Sequence, residues 1–229
     1  NAFYAPEMEK VLGRSVFHLG YNGMSMALGN RLFEDYLAHN SPPDQLFLEI
    51  TNLHVSDDLL KDLKPYYGLS PNLSQLAADH SPMLYRATEL AHLYRYNGEL
   101  FLRSLFYLEQ SDQSWINRGQ IDPDFAATFE PNAEERNERL FSVEGDNWEA
   151  LLAILALCEE NEIEVKLVVS PYLPQLRAGF EHFETDLNRL AAELPAAIKV
   201  WDYSGVLTKP AAFADPLHIN PTGARELLD

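Results

Sequence analysis

The sequence predicts an α/β fold with a mostly parallel sheet, and its hydrophobic pattern supports this in two ways. Short apolar runs without strict alternation are typical of strands that are covered on both faces. Such runs occupy 15–20, 44–50, 164–170 and 197–203. Helical patterns lie between them, and strands alternating with helices indicate an α/β sandwich with a parallel sheet.

Three amphipathic segments predict the helices that cover this sheet. The segment 24–40 has apolar residues at helical spacing and leads into a Ser-Pro-Pro break. The segment 145–162 begins with Asp-Asn, which is a typical capping signal. The segment 178–195 is amphipathic and ends at a proline, which cannot continue a helix.

The middle of the chain, about 57–144, departs from this alternation. The pattern predicts long helical structure over 81–110, a loop over 111–132 and a charged, solvated helix over 132–141. We interpret the region as a helical insertion packed over one end of the sheet. The prediction is therefore a single α/β domain over 1–229 that carries this insertion.

The composition excludes several classes of protein. The chain of 229 residues has a formal net charge of −18, so it would repel the phosphates of a nucleic acid, and we expect no such partner. No apolar run reaches the length of about eighteen residues that a membrane-spanning helix needs. The single cysteine, Cys158, excludes an internal disulfide framework and lies on an apolar stripe, which predicts a buried structural thiol.

An aspartate and a histidine near the end of the chain are the first candidates for chemistry. Asp215 and His218 directly precede a helix-start signal formed by Asn220 and Pro221. An aspartate at this spacing can fix the tautomer of the imidazole and stabilise the imidazolium, as in a catalytic triad. The alternative is a capping aspartate beside an incidental histidine.

A glycine-containing turn follows the first predicted strand. Gly20 and Gly23 lead into the helix predicted at 24–40, where backbone N–H groups can face a ligand. The turn could bind a phosphate, stabilise an oxyanion or simply need glycine at a strand-to-helix connection. It matches neither the dinucleotide-binding pattern nor the Walker pattern.

The strand predicted at 44–50 delivers further polar residues to the same edge of the sheet. Asn52 could donate a side-chain N–H to a developing negative charge, or it could cap the turn. His54 with Asp57 and Asp58 is weak support for a metal site, because one histidine beside two helix-start carboxylates is a sparse ligand set. We expect neither a metal nor an organic cofactor.

Taken together, these stretches resemble the SGNH (GDSL-like) hydrolase superfamily. Its motifs are, in order, a serine after the first strand, a glycine turn after the second, an asparagine after the third and Asp-x-x-His near the C-terminus. The stretch DPLHINPTGA at 215–224 is similar to the last motif, and HLGYNGMS at 18–25 is similar to the glycine motif. FLEITNLH at 47–54 resembles the asparagine motif loosely, without the usual Gly-x-Asn-Asp. The resemblance covers about 1–56 and 145–229.

The resemblance implies both a fold and an activity. The fold is a three-layer α/β/α sandwich with a flavodoxin-like sheet. The activity is that of a serine ester hydrolase or O-acyltransferase acting on an acylated carbohydrate or a similar ester. The resemblance assigns the catalytic pair to Asp215 and His218, and the oxyanion donors to the backbone of Gly23 and the side chain of Asn52.

The loop DQSWINRG at 112–119 is similar to a loop of bacterial SGNH-like proteins related to membrane-anchored acyl-transfer proteins. Trp115 and Arg118 are therefore candidates for contacting a sugar-like acceptor. This resemblance favours a location in the cell envelope, outside the cytoplasm, and it allows for a membrane anchor outside residues 1–229.

The sequence departs from the family in its nucleophile. No Gly-Asp-Ser or Gly-Ser-Ser turn occurs; Ser15 lies at the start of a predicted strand, and Ser25 lies just past the glycine turn. We therefore expect the nucleophilic serine and its strand upstream of Asn1, which would make the chain a fragment. The alternative is a non-catalytic SGNH-like module that binds polysaccharide or an envelope-assembly partner. A third hypothesis is a phosphate-binding protein that uses the turn at 20–25.

Overall fold

A three-stranded parallel sheet is the centre of the fold. The computed structural model describes residues 5–20, 23–51, 53, 63–96 and 119–228. Strands β1 (Gln45–Glu49), β2 (Glu164–Val169) and β3 (Val200–Asp202) lie side by side in that order and run in the same direction. A separate antiparallel pair, β4 (Phe213–Asp215) and β5 (His218–Ile219), follows near the C-terminus. The protein is therefore mixed α/β.

Helices fill most of the chain between the strands. In chain order they are α1 (Ala5–Leu12), α2 (Met26–His39), α3 (Pro71–His80), α4 (Pro82–Leu90), α5 (Pro123–Thr128), α6 (Ala133–Asn137), α7 (Asp146–Glu160), α8 (Pro174–Gly179), α9 (Phe183–Glu193) and α10 (Pro221–Leu228). Short 3₁₀ turns lie at Lys64–Tyr66, His92–Tyr96 and Pro210–Ala212.

The hydrophobic pattern predicted most of the sheet and its covering helices. The strands predicted at 44–50, 164–170 and 197–203 are confirmed as β1, β2 and the shorter β3. The helices predicted at 24–40, 145–162 and 178–195 are confirmed as α2, α7 and α9, the last with a shorter extent. Helices α2 and α7 pack against each other.

The strand predicted at 15–20 is wrong. The segment has no regular secondary structure, although Leu19 packs against the main core. Phe17 is 71% exposed, and Val16 and Leu19 are only partly buried. An apolar run becomes a strand only where it has a hydrogen-bonded neighbour. The Arg14 guanidinium lies 3.3 Å from the carboxylate of Asp44, just before β1.

The main hydrophobic core lies between the sheet and its helices. Leu151 and Ile154 of α7 contribute to it together with Leu167 of β2 and Leu190 of α9. Cys158 belongs to the same core, and burial raises the pKa of its thiol to about 11. The predicted buried structural thiol is thus confirmed.

The middle region is largely helical where the structure describes it, and the loop predicted over 111–132 is wrong in part, because α5 forms at Pro123–Thr128. The helix predicted at 81–110 is present as α4 and the 3₁₀ turn that follows, and residues 97–110 lie outside the described residues. The charged helix predicted at 132–141 is present as the shorter α6. The assignment of this region as an insertion in one domain stays a prediction. In the described part of the chain, no helix has the length and apolar character needed to cross a bilayer.

Helix α10 approaches the preceding 3₁₀ turn so closely that one position must be glycine. A Cβ atom on Gly223 would meet the backbone carbonyl oxygen of Ala212 far inside van der Waals contact. The contact involves backbone, which cannot swing away as a flexible side chain does. Gly223 thus sets the position of α10 behind the Asp215–His218 turn.

We predict that Gly223→Ala destabilises the protein by about 1–3 kcal/mol, because overpacking against backbone forces α10 to shift. Urea unfolding measures the change. Gly205→Ala is the matched control, since nothing lies within 4 Å of a Cβ built on Gly205. Equal unfolding free energies for the two variants would contradict the predicted close approach.

Candidate active site

The Asp215 and His218 side chains meet in the turn between β4 and β5. Nδ1 of His218 lies 2.8 Å from one carboxylate oxygen of Asp215 and 3.0 Å from the other. An ionised carboxylate only accepts hydrogen bonds, so the imidazole donates its Nδ1–H. The Nε2 atom is then the basic nitrogen of the neutral ring. The His218 side chain is 25% exposed and the Asp215 side chain 40% exposed, so the pair is accessible to a solute.

Asn220 builds this turn and also begins α10. Its Oδ1 accepts the backbone N–H groups of Thr222 and Gly223 at 2.9 and 3.0 Å, as the sequence predicts for a helix cap. Its Nδ2 donates back to the carbonyls of Ala211 and Phe213 at 2.8 and 3.2 Å. The capping function therefore belongs to Asn220, which argues against Asp215 as the cap of α10.

The glycine turn before α2 has the backbone conformation that its sequence indicates. Gly23 has φ +70°, a left-handed conformation that other residues rarely adopt. Ser25 caps α2, and its Oγ accepts the Leu28 N–H at 3.1 Å. Because this hydroxyl is occupied in the cap and the residue is 2% exposed, Ser25 is not placed as a nucleophile.

The turn after β1 is linked to the start of α2 by Asn147 of α7. The Oδ1 of Asn147 accepts the Ala27 N–H at 3.1 Å, and its Nδ2 donates to the Leu53 carbonyl at 3.0 Å. One side chain therefore joins the segment that follows Gly23 to the segment that follows β1. Asn52 itself lies outside the described residues.

A carboxyl group at the end of β1 joins two neighbouring strands. Glu49 accepts the Thr51 N–H at 3.1 Å and the Thr51 hydroxyl at 2.8 Å. Its other oxygen is in contact with the Ser170 hydroxyl, just after β2, and the Ser170 N–H lies 3.4 Å from the first. Burial raises the pKa of Glu49, although the hydrogen bonds from Thr51 and Ser170 act in the opposite direction.

Glu49 and Asn147 are not among the site residues that the sequence predicts. The signal for Glu49 is a single acidic residue at the end of an otherwise apolar strand, in the stretch QLFLEI at 45–50. An ionisable side chain in such a run needs partners when it is buried. Asn147 belongs to the capping signal predicted at the start of α7, and no local sequence pattern indicates its two distant partners, Ala27 and Leu53.

The loop after β2 touches both the loop after β3 and the Asp215–His218 turn. The Tyr172 N–H donates to the Ser204 carbonyl at 3.2 Å, and the Leu173 N–H donates to the Pro216 carbonyl at 3.0 Å. Pro216 lies between the aspartate and the histidine of the pair. The turn is thus fixed to the carboxyl edge of the sheet, where functional groups of open α/β proteins gather.

The region that follows residue 118 is anchored beside the same turn. The Ile121 N–H donates to the Phe213 carbonyl at 2.8 Å, two residues before Asp215. Trp115 and Arg118, which the sequence predicts as acceptor-binding residues, lie outside the described residues.

The part of the chain that the structure describes contains no group of three or more His, Cys, Asp or Glu side chains able to hold a metal ion. His54, Asp57 and Asp58, the weak metal candidate of the sequence, lie outside the described residues.

Comparison with protein-family models, with curated proteins and with solved structures finds no match to this chain. The geometry at the carboxyl edge of the sheet is therefore the basis for a functional proposal.

We predict that Asp215→Ala changes the tautomer of the neutral His218 ring. In the wild type the carboxylate holds the proton on Nδ1, whereas a ring without this partner reverts towards the Nε2–H form. Nitrogen chemical shifts of the two ring atoms, measured above the titration range of histidine, distinguish the forms. His218→Gln assigns the signals. An unchanged Nδ1–H form in Asp215→Ala would contradict the assigned hydrogen bond.

We predict a pH-dependent stability contribution from Glu49 because its pKa is raised in the folded protein. The contribution is fully present below the unfolded pKa of about 4.3 and is lost as the pH rises through the folded pKa. The unfolding free energy of the wild type should therefore fall relative to that of Glu49→Gln as the pH rises from about 4. Urea unfolding over a pH series measures the difference.

The control for this experiment is Glu164→Gln, at the opposite end of the sheet. The hydrogen bond from Gln45 lowers the pKa of Glu164, and the charge of Lys166 acts in the same direction. The unfolding free energy of the wild type relative to that of Glu164→Gln should therefore rise with pH or stay constant, because solvent screens this exposed carboxylate. A Glu49→Gln difference that is flat or rises with pH would refute the raised pKa.

Proposed function

We propose that this protein is an SGNH-type serine ester hydrolase or O-acyltransferase that acts on an acylated carbohydrate or a similar ester. The observation that carries the proposal is the Asp215–His218 pair, held at the carboxyl edge of a parallel sheet with Nδ1 facing the carboxylate. This leaves the basic Nε2 for a hydroxyl nucleophile, as a triad requires. The serine of the proposal lies upstream of residue 1.

In the proposed reaction His218 moves the proton. Its Nε2 takes the proton of the serine hydroxyl as the oxygen attacks the ester carbonyl, and then returns it to the departing alcohol. Water or an acceptor hydroxyl next attacks the acyl-enzyme with His218 as base, and His218 returns this proton to the serine oxygen as the acyl–serine bond breaks. Asp215 stabilises the imidazolium in both steps. The Gly23 N–H, with the Asn52 side chain, is the proposed donor set for the oxyanion.

A three-layer α/β/α sandwich with a flavodoxin-like sheet is part of the same proposal. Three parallel strands in the order β1-β2-β3 support it. The proposal places the strand that carries the nucleophile next to β1, on the side away from β2, where a doubly wound sheet has its first strand.

The proposed substrate is an ester on a sugar or a molecule of similar polarity. The anchoring of Ile121 beside β4 supports a role for the preceding loop, in which Trp115 and Arg118 are the proposed acceptor contacts. The net charge of −18 disfavours nucleic acid as a partner. A cell-envelope location, with a membrane anchor outside residues 1–229, belongs to the proposal through the family resemblance alone.

A non-catalytic module that binds polysaccharide or an envelope-assembly partner is the second candidate function. The use of the Ser25 hydroxyl in a helix cap favours it, because this leaves the serine after the glycine turn unavailable as a nucleophile. Wild-type full-length protein that binds polysaccharide without turning over any ester would support this alternative.

We predict that His218→Ala lowers ester turnover by the full-length protein about a hundredfold or more, because general base and general acid are lost together. A panel of acetylated sugars and simple aryl esters provides the substrates. His39→Ala is the matched control, since this exposed histidine lies at the end of α2 and contacts only the Asp35 carbonyl among the described residues. Undiminished turnover in His218→Ala would refute the proposed role.

A further inference from the structure

We propose that Glu49 is a positioning residue of the candidate active site, because its carboxyl group clamps the turn after β1 to the loop that braces the Asp215–His218 turn. This inference rests on the proposed function for its catalytic consequence. Its structural part concerns described residues alone and can be tested without an ester.

The carboxyl group of Glu49 lies between the ends of two neighbouring strands. Glu49 is the last residue of β1, and its two oxygens face Thr51 on its own strand's turn and Ser170 on the neighbouring strand's loop. The last backbone hydrogen bond between the two strands runs from the Ile50 N–H to the Val168 carbonyl at 3.1 Å. The Glu49 side chain continues the connection one step further, to Ser170.

The loop after β2 connects this clamp to the Asp215–His218 turn. Ser170 begins the loop after β2, and three residues later the Leu173 N–H donates to the carbonyl of Pro216. Leu173 is fully buried, so its position is fixed by packing as well as by this bond. Displacing the start of the loop would move the support of the Asp215–His218 turn.

The hydrogen-bond pattern around the two oxygens of Glu49 determines which side chains can replace it. One oxygen receives three donors, two from Thr51 and the N–H of Ser170, and the other oxygen faces a hydroxyl, which can donate or accept. A glutamine can copy this pattern if its Oε1 replaces the first oxygen and its Nε2 donates to the Ser170 hydroxyl. An alanine removes the acceptor that the N–H groups of Thr51 and Ser170 share.

Tyr172 is a further ionisable side chain that contacts Thr51 of the clamp. Burial raises the pKa of Tyr172, and the charges of Glu49 and Glu138 act in the same direction, whereas Thr51 and Arg177 act in the opposite one. Tyr172 is therefore neutral over the range in which carboxyl groups titrate. The pH response of the clamp is that of Glu49.

Amide hydrogen exchange of Leu173 in this chain is the structural test. Glu49→Ala should speed the exchange of the Leu173 amide about tenfold or more relative to the wild type. The Thr51 and Ser170 N–H groups lose their acceptor in this variant, which loosens the loop that carries Leu173. Glu49→Gln should keep the exchange rate within about threefold, because the amide preserves the pattern. Glu164→Ala, which removes a carboxyl group at the far end of the sheet, should leave Leu173 unchanged.

The kinetic test uses the full-length protein and the same variants. Glu49→Ala should lower kcat about tenfold or more with KM nearly unchanged, and Glu49→Gln should restore most of kcat. A purely structural role would lower both variants' active fraction without this rescue. If Glu49→Ala fails to fold, Ser170→Ala removes the partner in the loop after β2, and faster Leu173 exchange in this variant supports the clamp.

Two results would overturn the proposal. The first is Leu173 exchange and kcat that are unaffected by Glu49→Ala, or by Ser170→Ala where the first variant does not fold. The second is a Glu49→Gln variant as impaired as Glu49→Ala, because the clamp would then not be the hydrogen-bond pattern described. If Leu173 exchange responds as expected but the wild type turns over no ester, the clamp stands and the proposed enzymatic function fails.

Discussion

Parallel pairing of β1, β2 and β3 is the constraint on which the rest of the structure depends. Because the three strands run in one direction, the chain leaves each of them at the same edge of the sheet. The turns after Glu49, Val169 and Asp202 are thereby brought together although they are far apart in sequence. A candidate active site forms at this edge because the topology concentrates irregular backbone there, where functional side chains are not committed to packing.

Irregular backbone at a sheet edge lacks a ladder, so side chains must supply the missing hydrogen bonds. Three side chains do so, and each uses both polar atoms of its amide or carboxyl group: Asn147, Asn220 and Glu49. Asn147 joins the start of α2 to the turn after β1, and Asn220 joins α10 to β4. Each residue is thus placed where one substitution would release two segments. The Asp215–His218 turn is held from both sides, by Asn220 and by the loop after β2.

The sequence predicted the features that depend on local pattern and missed those that depend on distant contacts. Periodicity predicted β1, β2, β3 and α2, and the spacing of Asp215 and His218 predicted their contact. Glu49 and Ser170 are separated by 121 positions, and Asn147 and Leu53 by 94, so no local signal indicates either contact. The prediction of a strand at 15–20 was wrong for a related reason. A strand requires a hydrogen-bonded neighbour, and an apolar pattern does not specify one.

The geometry also bears on whether the Asp215–His218 contact has a function or is incidental. Asp215 has a local structural role, because its Oδ1 accepts the Leu217 N–H at 3.0 Å within the turn. It does not cap α10, since Asn220 performs this task. Stability does not explain the contact either, because ion pairs that are this exposed contribute about 0–1 kcal/mol. What the contact does achieve is to fix the orientation and tautomer of an accessible imidazole. A fixed imidazole adds little to folding, whereas general-base catalysis requires one, and this difference is the reason to favour the catalytic interpretation.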